Sequence, residues 1–224
     1  MAYLNIGGGN FKRSYWLNMD YPFDSYKHKR KFEMIDVTHD LMSNKPFKLA
    51  TGSIHGVYSS HTIEHIDLKS ARVMLSESHR VMKLKSYLRI CCPDFDLLYK
   101  RYKEGNKKFF NAMKGSPVQG KPIIVQFLNQ FTLCIDYEQA ERILEEFNQR
   151  QAATLIDKLP LRKKYRPNDH ISWWNEARLR KELTAAGFRN IQRSKPQQSA
   201  CKAFRFNGVD KTAPERSIYM ECIK

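Results

Sequence analysis

A chain of 224 residues with 42% hydrophobic and 12% aromatic content is long enough to bury a core without disulfide or metal staples, and too apolar to be disordered. Its formal net charge of +16 suits phosphate-bearing, glycan or other anionic partners. With no apolar run of bilayer length, no basic-then-apolar leader after Met1 and no C-x-x-C pair among its five cysteines, a reduced, cytoplasmic protein without a membrane span is expected.

The elements alternate from the start. Tyr3–Ile6 is a short apolar strand that runs into Gly7-Gly8-Gly9-Asn10. Residues 16–19 form a second strand candidate ending at Asp20, and residues 32–37 a third, with Asp36 near its end. Residues 54–59 read as a fourth. Residues 67–83 are the clearest helix: Leu68, Ala71, Met74, Leu75, Ser78, Val81 and Met82 share a face opposite Lys69, Arg72, Glu77 and Arg80, and Asp67 suits the N-cap. Residues 87–92 are a fifth strand, stopped by Pro93, in which Cys91 and Cys92 point to opposite faces as packing residues. Strand, helix, strand in this order predicts right-handed crossovers in a mostly parallel sheet.

Residues 97–170 differ in character. Aromatic and basic helical pieces at 97–102, 109–113 and 137–147 flank a Gly-Pro stretch, which predicts a helical insertion or lid inside a single domain spanning 1–224. Local basic clusters lie at Lys27 to Lys31 and Arg162 to Arg166. A helix over 176–186 then closes at Gly187, and strands over 188–193 and 217–223 lack a crossover helix, so they are expected to pair antiparallel at the sheet edge.

Three features carry chemistry. A glycine run directly after a strand lets the backbone turn sharply and approach a ligand. An acid ending the next strand, Asp20, suits ribose hydroxyls, although alone it reads equally as a turn residue before Tyr21-Pro22. The step from Gly9 to Asp20 is too short for the glycine fingerprint, full helix and strand of a nicotinamide site, and no phosphate-loop Lys-Ser/Thr follows the glycines. Third, Ser60-His61-Thr62-Ile63-Glu64-His65 follows the fourth strand, where open α/β sheets bind ligands. The H-x-x-E-H order is used by some zinc proteases, but the segment sits at a strand end and no third ligand is evident, so no metal is expected.

Together, Leu4-Asn5-Ile6-Gly7-Gly8-Gly9-Asn10, Trp16-Leu17-Asn18-Met19-Asp20, His39-Asp40-Leu41 with Pro46-Phe47, and Ser60-His61-Thr62-Ile63-Glu64-His65 resemble a class I S-adenosylmethionine-dependent methyltransferase, in particular the predicted "type 11"-like group. Glu77-Ser78-His79-Arg80-Val81-Met82-Lys83, Leu88-Arg89-Ile90 with Pro93-Asp94, His170 with Trp173, and Ala186-Gly187-Phe188 extend the likeness over nearly the whole chain outside the insertion. Lys83-Leu84-Lys85-Ser86 departs from it, standing where relatives carry K-P-G-G.

The resemblance implies a Rossmann-like α/β fold with a seven-stranded sheet whose last strand is antiparallel. It implies S-adenosyl-L-methionine as cofactor, with Gly7, Gly8, Gly9 and Asn10 at the methionine part, Asp20 at the ribose, Asp40 and Leu41 near adenine with Asp36 as a rival, and Ser60 and His61 near the sulfonium. His61, His65 and His170 are the candidate bases for an acceptor that must lose a proton. The expected acceptor is a small molecule or glycan. The charge keeps a nucleic-acid acceptor as an alternative, and the departure at Lys83 to Ser86 keeps open a catalytically inactive, cofactor-binding member.

Overall fold

A computed structural model describes residues 1–8, 13–22, 34–113, 118–131, 136–156, 158 and 169–224. Its sheet has seven strands: β1 (Tyr3–Ile6), β2 (Trp16–Asp20), β3 (Val37–Thr38), β4 (Ile54–Ser60), β5 (Met82–Pro93), β6 (Arg189–Ser194) and β7 (Ser217–Ile223). They lie in the order β3-β2-β1-β4-β5-β7-β6. The first five run parallel, and β7 is antiparallel to both β5 and β6. The order of connection reverses between β1 and β4, which makes the carboxyl ends of these two strands the natural ligand crevice.

Most elements fall where the sequence puts them, and two strands differ. The third strand was expected over 32–37; residues 32 and 33 lie outside the described residues, and the ladder starts only at Val37. Asp36 explains the late start. Its backbone N–H donates to the Asn18 carbonyl, but the return bond from the Asn18 N–H goes to the Asp36 carboxylate rather than to a backbone carbonyl. The fifth strand begins five residues early. It follows directly on the helix α1 (Leu68–Val81), and Lys83 to Ser86 form a bulge between the pairs Ile54–Met82 and Gly56–Tyr87, with Lys85 at φ 62°.

Helix α1 starts as its sequence demands: the Asp67 carboxylate accepts from the Ser70 N–H at 2.7 Å. The middle region holds α2 (Phe95–Lys103), α3 (Lys107–Asn111), α4 (Ile123–Leu128), α5 (Tyr137–Glu146) and α6 (Gln149–Ile156). Of these, α4 and α6 were not expected from sequence. They bury Phe127, Leu128, Ala152 and Ile156 in a second apolar cluster with Phe95, Leu98, Phe110 and Leu144. Helix α7 (Glu176–Ala185) ends at Gly187, whose φ of 94° a side chain would resist. No helix among the described residues is long and apolar enough to cross a membrane.

The two faces of the sheet are covered differently. On one, Leu4, Ile6, Met19, Val57, Leu88, Ile90 and Met220 pack under α1 and α7. On the other, Tyr3, Trp16, Tyr58, Tyr87 and the buried Arg89 lie under the irregular segment 195–216 that joins β6 to β7, through Phe204, Phe206, Val209 and Asp210.

Candidate functional site

The glycine turn sits at the reversal point. Gly7 takes φ 82°, and the N–H groups of Gly7 and Gly8 both donate to the Met19 carbonyl, at 2.9 and 3.1 Å. The buried Asn5 amide donates to the Gly8 carbonyl and to Asn18 Oδ1. A Cβ on Gly7 would lie 2.0 Å from Thr62 Oγ1, and one on Gly8 would lie 3.1 Å from Asp20 Oδ2. Gly7 therefore needs glycine, and a side chain at Gly8 would press on Asp20: the turn is wedged between the end of β2 and the segment after β4. Thr62 Oγ1 closes the wedge by donating to the Ile6 carbonyl at 3.2 Å. Gly9 and Asn10 lie outside the described residues.

Asp20 is half-buried at the carboxyl end of β2, and its Oδ1 accepts from the Tyr21 N–H at 2.8 Å. Asp40 caps the short turn Leu41–Ser43 by accepting from the Met42 N–H, while Leu41 packs on the sheet core. The carboxylate of exposed Asp36 is held by the Asn18 N–H. Glycine turn, Asp20, Asp40 and Ser60 thus share one edge of the sheet.

Beyond Ser60 the chain turns sharply. His61 sits at φ 51°, and its N–H donates to the Cys91 carbonyl at 2.8 Å. Its ring is held at both nitrogens: Nδ1 lies 2.9 Å from Glu64 Oε1, and Nε2 lies 2.9 Å from Ser217 Oγ and 3.1 Å from the Thr212 carbonyl. A carboxylate and a carbonyl can only accept, so both ring nitrogens carry protons. Burial disfavours that charge, but Glu64 overrides it and His61 is pushed up to about 10. Burial likewise opposes the Glu64 carboxylate, and His61 holds it down at about 2. In this state His61 has no lone pair with which to take a proton.

His65 and His170 form the other half of the constellation. His65 lies on the short turn Ile63–His65, and its Nδ1 is 3.1 Å from the Asp169 carbonyl. His170 Nδ1 is 2.6 Å from the Gln130 carbonyl, at the end of α4. The two rings meet edge to face at 4.6 Å, and burial pushes His170 down to about 4. The segment is laced to the turn by bonds from the Ile171 N–H to the Glu64 carbonyl and from Ser172 Oγ to the Ile63 carbonyl. The sequence reading named both outer histidines and missed Glu64, although it lies between His61 and His65 in the same motif. Cys91 and Cys92 are fully buried, and burial pushes the Cys92 thiol well up, which makes it no nucleophile.

No family model matches the chain, and no curated protein matches it by sequence. Solved structures do match by shape. A Pyrococcus horikoshii protein superposes with a TM-score of 0.52 at 12% identity, covering 99% of this chain and 81% of its own. Together with the order β3-β2-β1-β4-β5-β7-β6 and an antiparallel β7, that likeness decides the architecture. The fold is that of the class I methyltransferases. Also similar are a Thermotoga maritima S-adenosylmethionine-dependent methyltransferase described as a possible histamine N-methyltransferase (TM-score 0.49, 11% identity, 100% of this chain and 82% of that one) and one from Archaeoglobus fulgidus (0.47, 13%, 100% and 86%). Within this methyltransferase fold, the glycine turn and the His61 to His65 segment occupy the ends of adjacent strands β1 and β4.

Proposed function

We propose that this protein is an S-adenosylmethionine-dependent methyltransferase acting on a small-molecule or glycan acceptor. The observation that carries the reading is the convergence of Gly7, Gly8, Asp20 and the Ser60 to His65 segment at the reversal point of the sheet. The residues fit the cofactor. A side chain on Gly8 would crowd the Asp20 carboxylate, the group assigned to the ribose. Gly7, Gly8 and, outside the described residues, Gly9 and Asn10 are assigned to the methionine part, Asp40 and Leu41 to the adenine side, and Ser60 and His61 to the wall near the sulfonium. Asp36 is the weaker rival, because Asn18 already engages its carboxylate.

The cofactor supplies a methyl group on a cationic sulfonium, and its transfer depends on alignment more than on acid–base help. The residues here serve alignment. His61, charged and pinned at both nitrogens, fixes the position of Glu64 and of the turn bearing His65. The groups that can meet an acceptor are His65 and His170, whose Nε2 atoms make no hydrogen bond among the described residues.

Calorimetry with S-adenosylmethionine should show one site per chain. Asp20→Ala should weaken it roughly ten- to a hundredfold, the loss of a charge-assisted hydrogen bond. Absence of binding at high micromolar cofactor would sink the reading. The net charge of +16 supports a second reading, a nucleic-acid acceptor. RNA binding that falls steeply with salt would favour it. Cofactor binding without turnover over a broad acceptor panel would identify an inactive member.

A further inference from the structure

Glu64, His65 and His170 come together from two distant stretches of chain. One ligand atom from each lies within 4.8 Å of the others. The sequence offered only His61 and His65 for a metal and no third ligand. Folding replaces His61, whose nitrogens are both spent, with Glu64 and His170.

The hydrogen bonding of the cluster is that of a ligand set. A backbone carbonyl can only accept, so His65 and His170 each carry their proton on Nδ1, pointing at the Asp169 and Gln130 carbonyls. That fixes both tautomers and leaves Nε2 of each ring with a lone pair. Donation of the second ring N–H to a carbonyl is how proteins orient a metal-binding histidine. Glu64 is 1% exposed; Oε1 faces His61, and Oε2 is buried with no hydrogen-bond partner. The two Nε2 atoms and Glu64 Oε2 thus make no hydrogen bond among the described residues, in three side chains whose ligand atoms lie together. His61 neutralises Glu64 on the Oε1 side, but a buried Oε2 without a partner still costs free energy, which a cation on that side would offset.

We propose that Glu64, His65 and His170 bind a divalent first-row transition ion. Two imidazoles and one carboxylate suit ions such as Zn2+, Mn2+, Fe2+ or Co2+ better than the all-oxygen preference of Mg2+ or Ca2+. Tetrahedral coordination at about 2.0 Å spaces ligands roughly 3.3 Å apart, so binding shortens the separations between the three atoms by up to about an ångström and a half. Three protein ligands leave coordination positions open, and they lie between the carboxyl edge of the sheet and the end of α4. An oxygen-bearing acceptor placed there would be held and polarised by the ion. The binding itself does not rest on the methyltransferase reading; only this role for the open position does.

The test is a titration of chelator-stripped full-length protein with Co2+, followed by its absorption bands, and with Zn2+ and Mn2+ by calorimetry. One ion per chain is expected. His65→Ala and His170→Ala should each weaken it by about a hundredfold or more, and His55→Ala, on β4 at the opposite end of the strand, should leave it unchanged. Circular dichroism and S-adenosylmethionine calorimetry on the same variants separate loss of the ion site from loss of fold or cofactor site. No stoichiometric binding of any of the three ions to protein shown by circular dichroism to be folded overturns the proposal, whether or not that protein binds the cofactor. So does binding that both histidine variants leave intact, which would place the ion elsewhere.

Discussion

The two faces of the sheet solve the same problem by opposite means. Under α1 and α7 the covered surface is aliphatic, and its burial is non-directional. Under segment 195–216 the surface is aromatic and charged, and what holds it is a set of specific pairs. Arg89 is fully buried and bonds Asp210 at 2.6 Å, Glu221 at 3.4 Å and the Lys195 carbonyl at 2.7 Å. Tyr58 donates to Asp210 Oδ1 at 3.2 Å and accepts from the Asp210 N–H at 2.8 Å. Ser199 donates to Glu221 as well. An irregular segment has no repeating apolar stripe to lay on a sheet, so it is anchored through charge instead. The same segment carries Thr212, whose carbonyl meets His61, so the polar face is continuous with the candidate site.

The contrast predicts where the protein is most brittle. Arg89→Met removes the guanidinium and leaves Asp210 and Glu221 buried without their cation. Breaking a buried pair from one side costs about 3–5 kcal/mol, and urea unfolding should show a loss of that size. The conservative Arg89→Lys should fail to restore it, because one ammonium cannot reproduce the forked contacts to Asp210, Glu221 and Lys195. A loss under about 1 kcal/mol would mean that aromatic packing alone holds the segment, and the comparison would collapse.

Leu75→Ala tests the other face. Leu75, on α1, is fully buried in the core that the helix forms with the sheet, and its truncation should cost about 3 kcal/mol. Leu75→Met, which keeps the volume, should cost less than about 1.5 kcal/mol. The pair of faces then differs in kind: the apolar one forgives a substitution of like size, and the charged one does not. If Leu75→Met proved as damaging as Arg89→Lys, shape rather than chemistry would govern both.

The same contrast explains what the sequence disclosed. Leu68, Ala71, Met74 and Leu75 repeat at helical spacing, and Tyr3–Ile6 ends in glycines, so α1 and β1 announce themselves locally. The Arg89–Asp210 pair spans 121 positions and has no local sign. Segment 195–216 therefore read as a mere connection, and its role as a cover was illegible. The site divides in the same way. Gly7, Asp20, His61 and His65 were legible because strand ends and spacing place them. His170 was named as a candidate as well, but its contact with His65, made across the insertion, has no local sign, and Glu64 was passed over because a buried acid shows itself only by what surrounds it. Strand β3 was overextended because the side chain of Asp36, not its backbone, closes the ladder to Asn18.

The smallest expected effect sits where the apolar face meets the site. Asp67 is exposed and caps α1 through the Ser70 N–H, so Asp67→Ala should cost about 1 kcal/mol and Asp67→Asn less, since the amide oxygen can still accept. Thermal unfolding of both variants measures it. The cap is one residue beyond Ile66, directly after the turn Ile63–His65 that carries Glu64 and His65. That turn is tied independently, to the Asp169 carbonyl and to Ile171 and Ser172, and His61 just before it is tied to the Cys91 carbonyl. A purely local cap should therefore leave cofactor affinity where it was. A cap loss that also weakened cofactor binding would show that α1 positions the turn, and that the forgiving face and the exacting site are mechanically one.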